Sequence, residues 1–78
     1  MNCLEYALSF WEKNPDYRIH YNSNHAINLP NGTYCDGFLP LELFGYDYCL
    51  KAFNLPEDSI KLLKSYFYED KELLKSSS

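Results

Sequence analysis

The strongest local constraint on this chain is the turn sequence LPNG at residues 29–32. Proline presets φ at the second position of a type I turn, and Gly32 can take the positive φ that a residue with a Cβ resists. Extended runs flank this turn within residues 25–38. The pattern predicts a β-hairpin with the three-residue loop Pro30–Gly32, in which Leu29 opposes Thr33.

The residues before the hairpin predict a helix and then a strand. Apolar residues with helical spacing indicate a helix over residues 2–13. Asn2, with Glu5 three positions later, matches a capping box at the start of this helix. The stripe consists of Leu4, Ala7, Leu8 and Trp11. Residues 17–21 alternate, which predicts a strand with Ile19 on the buried face and His20 on the exposed face. Because the connections are short, we expect a three-stranded antiparallel meander.

Two helices are expected after the hairpin. Residues 40–44 predict a short turn closed by Gly45, followed by a helix over residues 46–53, although one continuous helix interrupted at Gly45 is the alternative. Pro56, followed by two acidic residues, predicts the start of the last helix. Its expected stripe is Ile60, Leu63, Phe67 and Leu74. Residues 76–78 are expected to form a frayed tail.

These elements predict a single α+β domain spanning residues 1–78, in the order helix, three-stranded antiparallel sheet and two helices. The chain is near the size at which one hydrophobic core only just outweighs chain entropy. Its eight tyrosines are scored as polar, so a mean hydropathy of -0.44 understates the apolar surface that it can bury. We expect the first and last helices to pack on one face of the sheet.

Charge narrows the classes of function. The formal net charge is -4, and residues 19–50 contain no lysine or arginine. Direct binding to nucleic acid is therefore not expected, because phosphate contacts need a basic face. No apolar run is long enough to span a membrane, and no signal peptide is apparent, so the expected location is the cytoplasm.

The cysteines and histidines form no pattern with known chemistry. Cys3, Cys35 and Cys49 include no CxxC pair, which predicts reduced thiols, with Cys35 in the core. His20 and His25 have nearly the spacing of a metal-binding pair, but a turn separates them. We therefore predict no catalytic residue, no metal and no cofactor, and consider a Cys/His metal-dependent module the least favoured reading.

The stretch that most suggests a binding surface is residues 34–48, which combine acidic and aromatic residues and contain no basic side chain. Tyrosine is enriched in the centres of protein interfaces, and carboxylates suit a basic partner. The predicted partner-binding residues are Tyr34, Asp36, Phe38, Glu42, Tyr46, Asp47 and Tyr48. The alternative is that the rings form the core and the carboxylates a solvated rim.

In size and composition the chain resembles small inhibitors and immunity proteins that occlude a basic nucleic-acid-binding surface, phage-encoded antagonists of host defence nucleases among them. The resemblance implies a non-enzymatic protein whose carboxylates compete for lysines and arginines that otherwise hold phosphates. The alternative function is a homodimeric regulatory or accessory module that associates through an exposed sheet face or edge.

Overall fold

The structure, a computed structural model, describes the backbone of residues 2–77 and the side chains of residues 2–68. The described residues form helices and one small antiparallel sheet, so the predicted α+β class is confirmed. The elements in chain order are α1 (Cys3–Lys13), β1 (Tyr17–Tyr21), β2 (Ala26–Pro30), β3 (Leu39–Pro40), a 3₁₀ turn (Leu41–Leu43), α2 (Tyr46–Ala52) and α3 (Glu57–Ser77).

Helix α1 forms as its local sequence predicts. The Asn2 side chain accepts a hydrogen bond from the Glu5 N–H at 2.8 Å, which caps the first turn. The predicted stripe of four apolar residues is buried throughout. The helix ends at Lys13, and the Asn14 N–H bonds the carbonyl of Phe10 before Pro15 redirects the chain.

The three strands are antiparallel, but their order is β2-β1-β3, so β1 is central. The predicted meander order is therefore wrong. The tight hairpin joins β1 to β2, with Tyr21 opposite Ala26. The Asn22 side chain stabilises its turn by accepting from the N–H groups of Asn24 and His25, each at 2.8 Å.

The predicted turn at Pro30–Gly32 does form, with Gly32 at φ +84°, but the pairing of Leu29 with Thr33 is wrong. The Pro30 carbonyl accepts from both the N–H and the hydroxyl of Thr33, and a second turn follows at Gly37. Residues 31–38 therefore form a loop with two local turns, and the Asn31 N–H bonds the Asp16 carbonyl at 2.8 Å. The chain next pairs as β3, with Leu39 opposite Tyr21.

The segment after β3 forms two separate pieces, as predicted. The 3₁₀ turn ends before Gly45, which adopts φ +83° and ψ 153°, a conformation that side chains other than hydrogen resist. Helix α2 begins directly after it. The alternative of one continuous helix is wrong because no helix can pass through these dihedral angles.

Helix α3 begins at Glu57, one residue after the predicted first position Pro56, and the Ile60 N–H bonds the Pro56 carbonyl. Leu63 and Tyr66 are fully buried. Leu74 lies beyond the described side chains, and Ser78 beyond the described backbone. The predicted frayed tail at residues 76–78 therefore stays a prediction.

Helices α1 and α3 pack against each other, and α1 covers β1 and β2. The Trp11 and Tyr66 rings meet edge to face with centroids 5.0 Å apart. The Tyr66 hydroxyl accepts from the Ile19 N–H at 3.1 Å and lies 3.4 Å from the Ile19 carbonyl oxygen. Because β3 ends before Ile19, this hydroxyl takes the position where a neighbouring strand would continue the ladder.

Candidate partner-binding surface

The acidic aromatic surface, defined as the exposed side chains of residues 34–48, follows the sheet edge formed by β3. The loop 31–38, β3, the 3₁₀ turn and α2 contribute to it in turn. Seven large hydrophobic side chains are exposed among the described residues, and four of them lie in this stretch. These four are Tyr34, Leu39, Leu43 and Tyr48.

The predicted binding residues differ in exposure. Tyr34 is 75% exposed, and Asp36, Asp47 and Tyr48 are also exposed. The others are partly buried, each against a neighbour from another element. Phe38 packs on His25, Tyr46 on Phe67, and Glu42 pairs with Arg18.

The structure divides the predicted residues between two sides of the sheet. The Tyr34 ring packs edge-on against His20, with centroids 5.7 Å apart. Tyr48 instead stacks on Phe44 beside Tyr21. Since His20 and Tyr21 are consecutive in β1, they point to opposite faces. The candidate surface therefore wraps around the β3 edge.

Sequence reasoning missed Leu39 and Leu43. Leu39 is 53% exposed and Leu43 is 70% exposed, which exceeds the exposure of Tyr48. Their place inside the only long stretch without positive charge was the available signal. Only the tertiary structure shows that Leu41 takes the core position while its neighbours two residues away on either side face outward.

Glu42 forms an ion pair with Arg18, which lies near the start of β1. Its carboxylate lies 3.4 Å from the Arg18 guanidinium, which stacks over the Tyr66 ring at 4.2 Å. Burial, followed by the hydrogen bond and charge of Glu42, raises the pKa of Tyr66 far above its usual range. Arg18 thus offsets the charge of Glu42, and Asp36 and Asp47 are the exposed acids of the surface.

The prediction that His20 is a surface residue is wrong. Its side chain is only 4% exposed, because Tyr34 and the loop 31–38 cover this face of β1. Burial lowers the pKa of His20, and the nearby Glu42 charge opposes part of that effect. His25 is an exposed loop residue, as predicted.

The prediction that Cys35 lies in the core is also wrong, because loop 31–38 carries it to the surface. Cys49 is buried, and burial raises the pKa of its thiol to about 11, so it is protonated at neutral pH. Within residues 2–68, no three His, Cys, Asp or Glu side chains lie together in a group that could hold a metal ion.

Comparison with protein-family models, curated proteins and solved structures finds no match to this chain. Among the described helices, none combines the length and apolar character needed to cross a membrane.

Proposed function

We propose that this protein is non-enzymatic and acts by binding another protein, one with a basic surface, through the acidic aromatic surface. The carrying observation is that four of the seven exposed large hydrophobic side chains of the described residues lie in a stretch without lysine or arginine. Exposed aromatic and aliphatic groups give up water favourably on binding, and Asp36 and Asp47 favour a cationic partner.

The exposure of each side chain indicates its part in binding the partner. Tyr34 and Tyr48 would act as anchors because each presents a large ring with few rotatable bonds. Asp36 and Asp47 would speed association and select for positive charge. Glu42 would contribute less, since Arg18 already pairs with it. A partner reaching both rings must contact the two sides of the β3 edge.

An inhibitory role is the specific form of this proposal. A target that binds nucleic acid exposes lysines and arginines for phosphate groups, and a carboxylate-bearing surface of matching shape would occupy them. The interaction would then compete with nucleic acid and weaken as salt increases.

The test is affinity capture from cells of the source organism, followed by binding measurements with the purified partner. Asp36→Lys/Asp47→Lys reverses both exposed acids of the surface. Glu12→Lys/Asp16→Lys makes the same change in net charge at two exposed acids elsewhere. We expect the first variant to lose binding and the second to retain most of it. The affinity of the wild-type protein for its partner should decrease as the salt concentration rises.

Salt-independent binding, or equal loss in the two variants, would contradict the role of Asp36 and Asp47. Competition with nucleic acid for the same partner tests the inhibitory form separately. If nucleic acid and this protein bind the partner together without interference, the occlusion mechanism is wrong.

A second candidate, homodimerisation, has one observation in its favour. A largely apolar groove of about 480 Å³ runs beside β2, the other edge strand of the sheet. Tyr6 and Tyr17 lie along it, and both are exposed. Analytical ultracentrifugation tests this candidate, with a dimer at low micromolar concentration that Tyr6→Glu disrupts as the supporting result.

A further inference from the structure

A separate small pocket lies between β1 and the turn that follows β2. Its volume is about 160 Å³, enough for a group of a few heavy atoms. Arg18, His20 and Glu42 supply polar groups, while Tyr34 and residues 30–33 form walls. It lies on the face of β1 opposite to the hydrophobic core around Ile19.

His20 Nδ1 is the feature that marks this pocket as a binding site. The residue is 96% buried, and no hydrogen-bond partner for Nδ1 exists among the described residues. Buried nitrogen atoms of this kind nearly always have a partner, because removing them from water without one is costly. The His20 side chain is one of the groups that line the pocket.

The charges around the pocket favour an uncharged ligand. Arg18 and Glu42 lie 3.4 Å apart and offset each other, and burial lowers the pKa of His20, which favours the neutral imidazole. A charged ligand would leave water without a counterion in the pocket. The guanidinium can donate to a carbonyl oxygen, and the carboxylate can accept from an N–H group.

The lining of the pocket combines polar and apolar groups. Pro30, Pro40 and Tyr34 contribute apolar atoms beside the three polar side chains. A primary carboxamide is uncharged, and it carries both a carbonyl acceptor and two N–H donors. It therefore suits both the charge of the pocket and its hydrogen-bonding groups.

We propose that this pocket binds a primary carboxamide, which completes the hydrogen bonding of His20 Nδ1. The carboxamide comes either from an asparagine or glutamine side chain of another protein or from a small free amide. The proposal does not depend on the proposed basic partner.

The experiment compares three planar probes of nearly equal size, namely acetamide, acetate and acetamidinium, which are neutral, anionic and cationic. Each is titrated into isotopically labelled protein while NMR follows the His20 ring nitrogens and the amides of residues 31–34. We expect saturable shifts with acetamide, with a dissociation constant of about millimolar order for so small a ligand. Acetate and acetamidinium should bind at least about tenfold more weakly.

Two variants test whether the acetamide-induced shifts arise from binding at His20. His20→Phe removes Nδ1 and should abolish the acetamide-induced shifts of residues 31–34, whereas the matched change His25→Phe should retain them. If His20→Phe does not fold, the wild-type Nδ1 chemical shift still decides, because a new hydrogen bond must move it. Acetamide that leaves Nδ1 unmoved, or either charged probe binding as well as acetamide, would overturn the proposal.

A final pair of probes distinguishes the sources. N-acetyl-glutamine methylamide imitates a glutamine within a protein, and free glutamine imitates a small metabolite. Stronger binding of the blocked form assigns the carboxamide to a protein side chain, and stronger binding of the free form assigns it to a small molecule. If neither perturbs His20, neither source of the carboxamide is supported and the proposal is wrong.

Discussion

Replacing Tyr66 with phenylalanine removes one oxygen atom from the centre of the fold. The ring remains, so its edge-to-face contact with Trp11 and the stacked Arg18 guanidinium are retained. What is lost is the hydroxyl that accepts from the Ile19 N–H, donates to the Ile19 carbonyl and bonds Glu42, in a residue that is fully buried. The variant therefore removes the hydrogen bonds of one buried hydroxyl and leaves the Ile19 N–H without its acceptor.

A buried N–H left without an acceptor costs about 1–3 kcal/mol. For a domain of this size the urea dependence of unfolding is about 1 kcal/mol per molar, so the midpoint should fall by roughly 1–3 M. Far-UV circular dichroism is the suitable readout, because Trp11 fluorescence would also respond to the altered contact with residue 66.

Tyr6→Phe is the matched control, because it removes the same hydroxyl oxygen from a side chain that is 63% exposed. This variant should change the free energy of unfolding by no more than about 0.5 kcal/mol. Equal midpoints for the two variants would refute the reasoning and show that the Tyr66 hydroxyl does not hold the Ile19 N–H in solution.

Three further predictions concern protonation and backbone conformation. Because burial lowers the pKa of His20 below its usual 6.5, the unfolded chain binds more protons, and stability present above pH 6.5 should be lost as pH falls through the folded-state pKa. Denaturation at a series of pH values should show a smaller acid-side loss in His20→Gln than in wild type or His25→Gln. Burial raises the pKa of Tyr21 from 10.0 to about 12, so the stability that it contributes below pH 10 should be lost as pH rises towards 12. An alkaline titration of tyrosinate absorbance alongside circular dichroism measures this loss, and Tyr21→Phe should reduce it. Gly45→Ala should cost about 1–3 kcal/mol in thermal unfolding through backbone strain alone, because no atom lies within 4 Å of the added Cβ; D-alanine at the same position, introduced by chemical synthesis, should not.

The helices could be predicted from the sequence because their signals are local. Asn2 and Glu5 are three residues apart, and the α1 stripe repeats within eleven residues. Gly45 and Pro56 likewise mark boundaries through their own dihedral preferences. In each case one short segment contains both the signal and the structure that it specifies.

Strand order could not be predicted in this way. The choice of β1 as the central strand depends on which distant segment takes its second edge, and the sequence around LPNG fits a local hairpin equally well. The Thr33 hydroxyl bond to the Pro30 carbonyl and the second turn at Gly37 together favour a loop. The choice between a local hairpin and a loop therefore depends on contacts made by the whole chain.

Dependence on tertiary packing also explains why some predictions for the candidate sites are correct and others are wrong. Residues 34–48 do contain a concentration of exposed apolar groups, but their distribution over two sides of the sheet depends on tertiary packing. His20 alternates with buried residues, which predicts exposure, and Tyr34 then covers it. The pocket at His20 arises from segments that are distant in sequence, so no single motif indicates it.

The position of Tyr66 also has a consequence for how the protein avoids aggregation. An open strand edge invites another chain to pair with it, and native sheets protect such edges by covering them. Beyond the two residues of β3, the edge of β1 is closed by a hydroxyl from α3. Any event that detaches α3 would open this edge to strand addition, so docking of the last helix protects the sheet from self-association as well as completing the core.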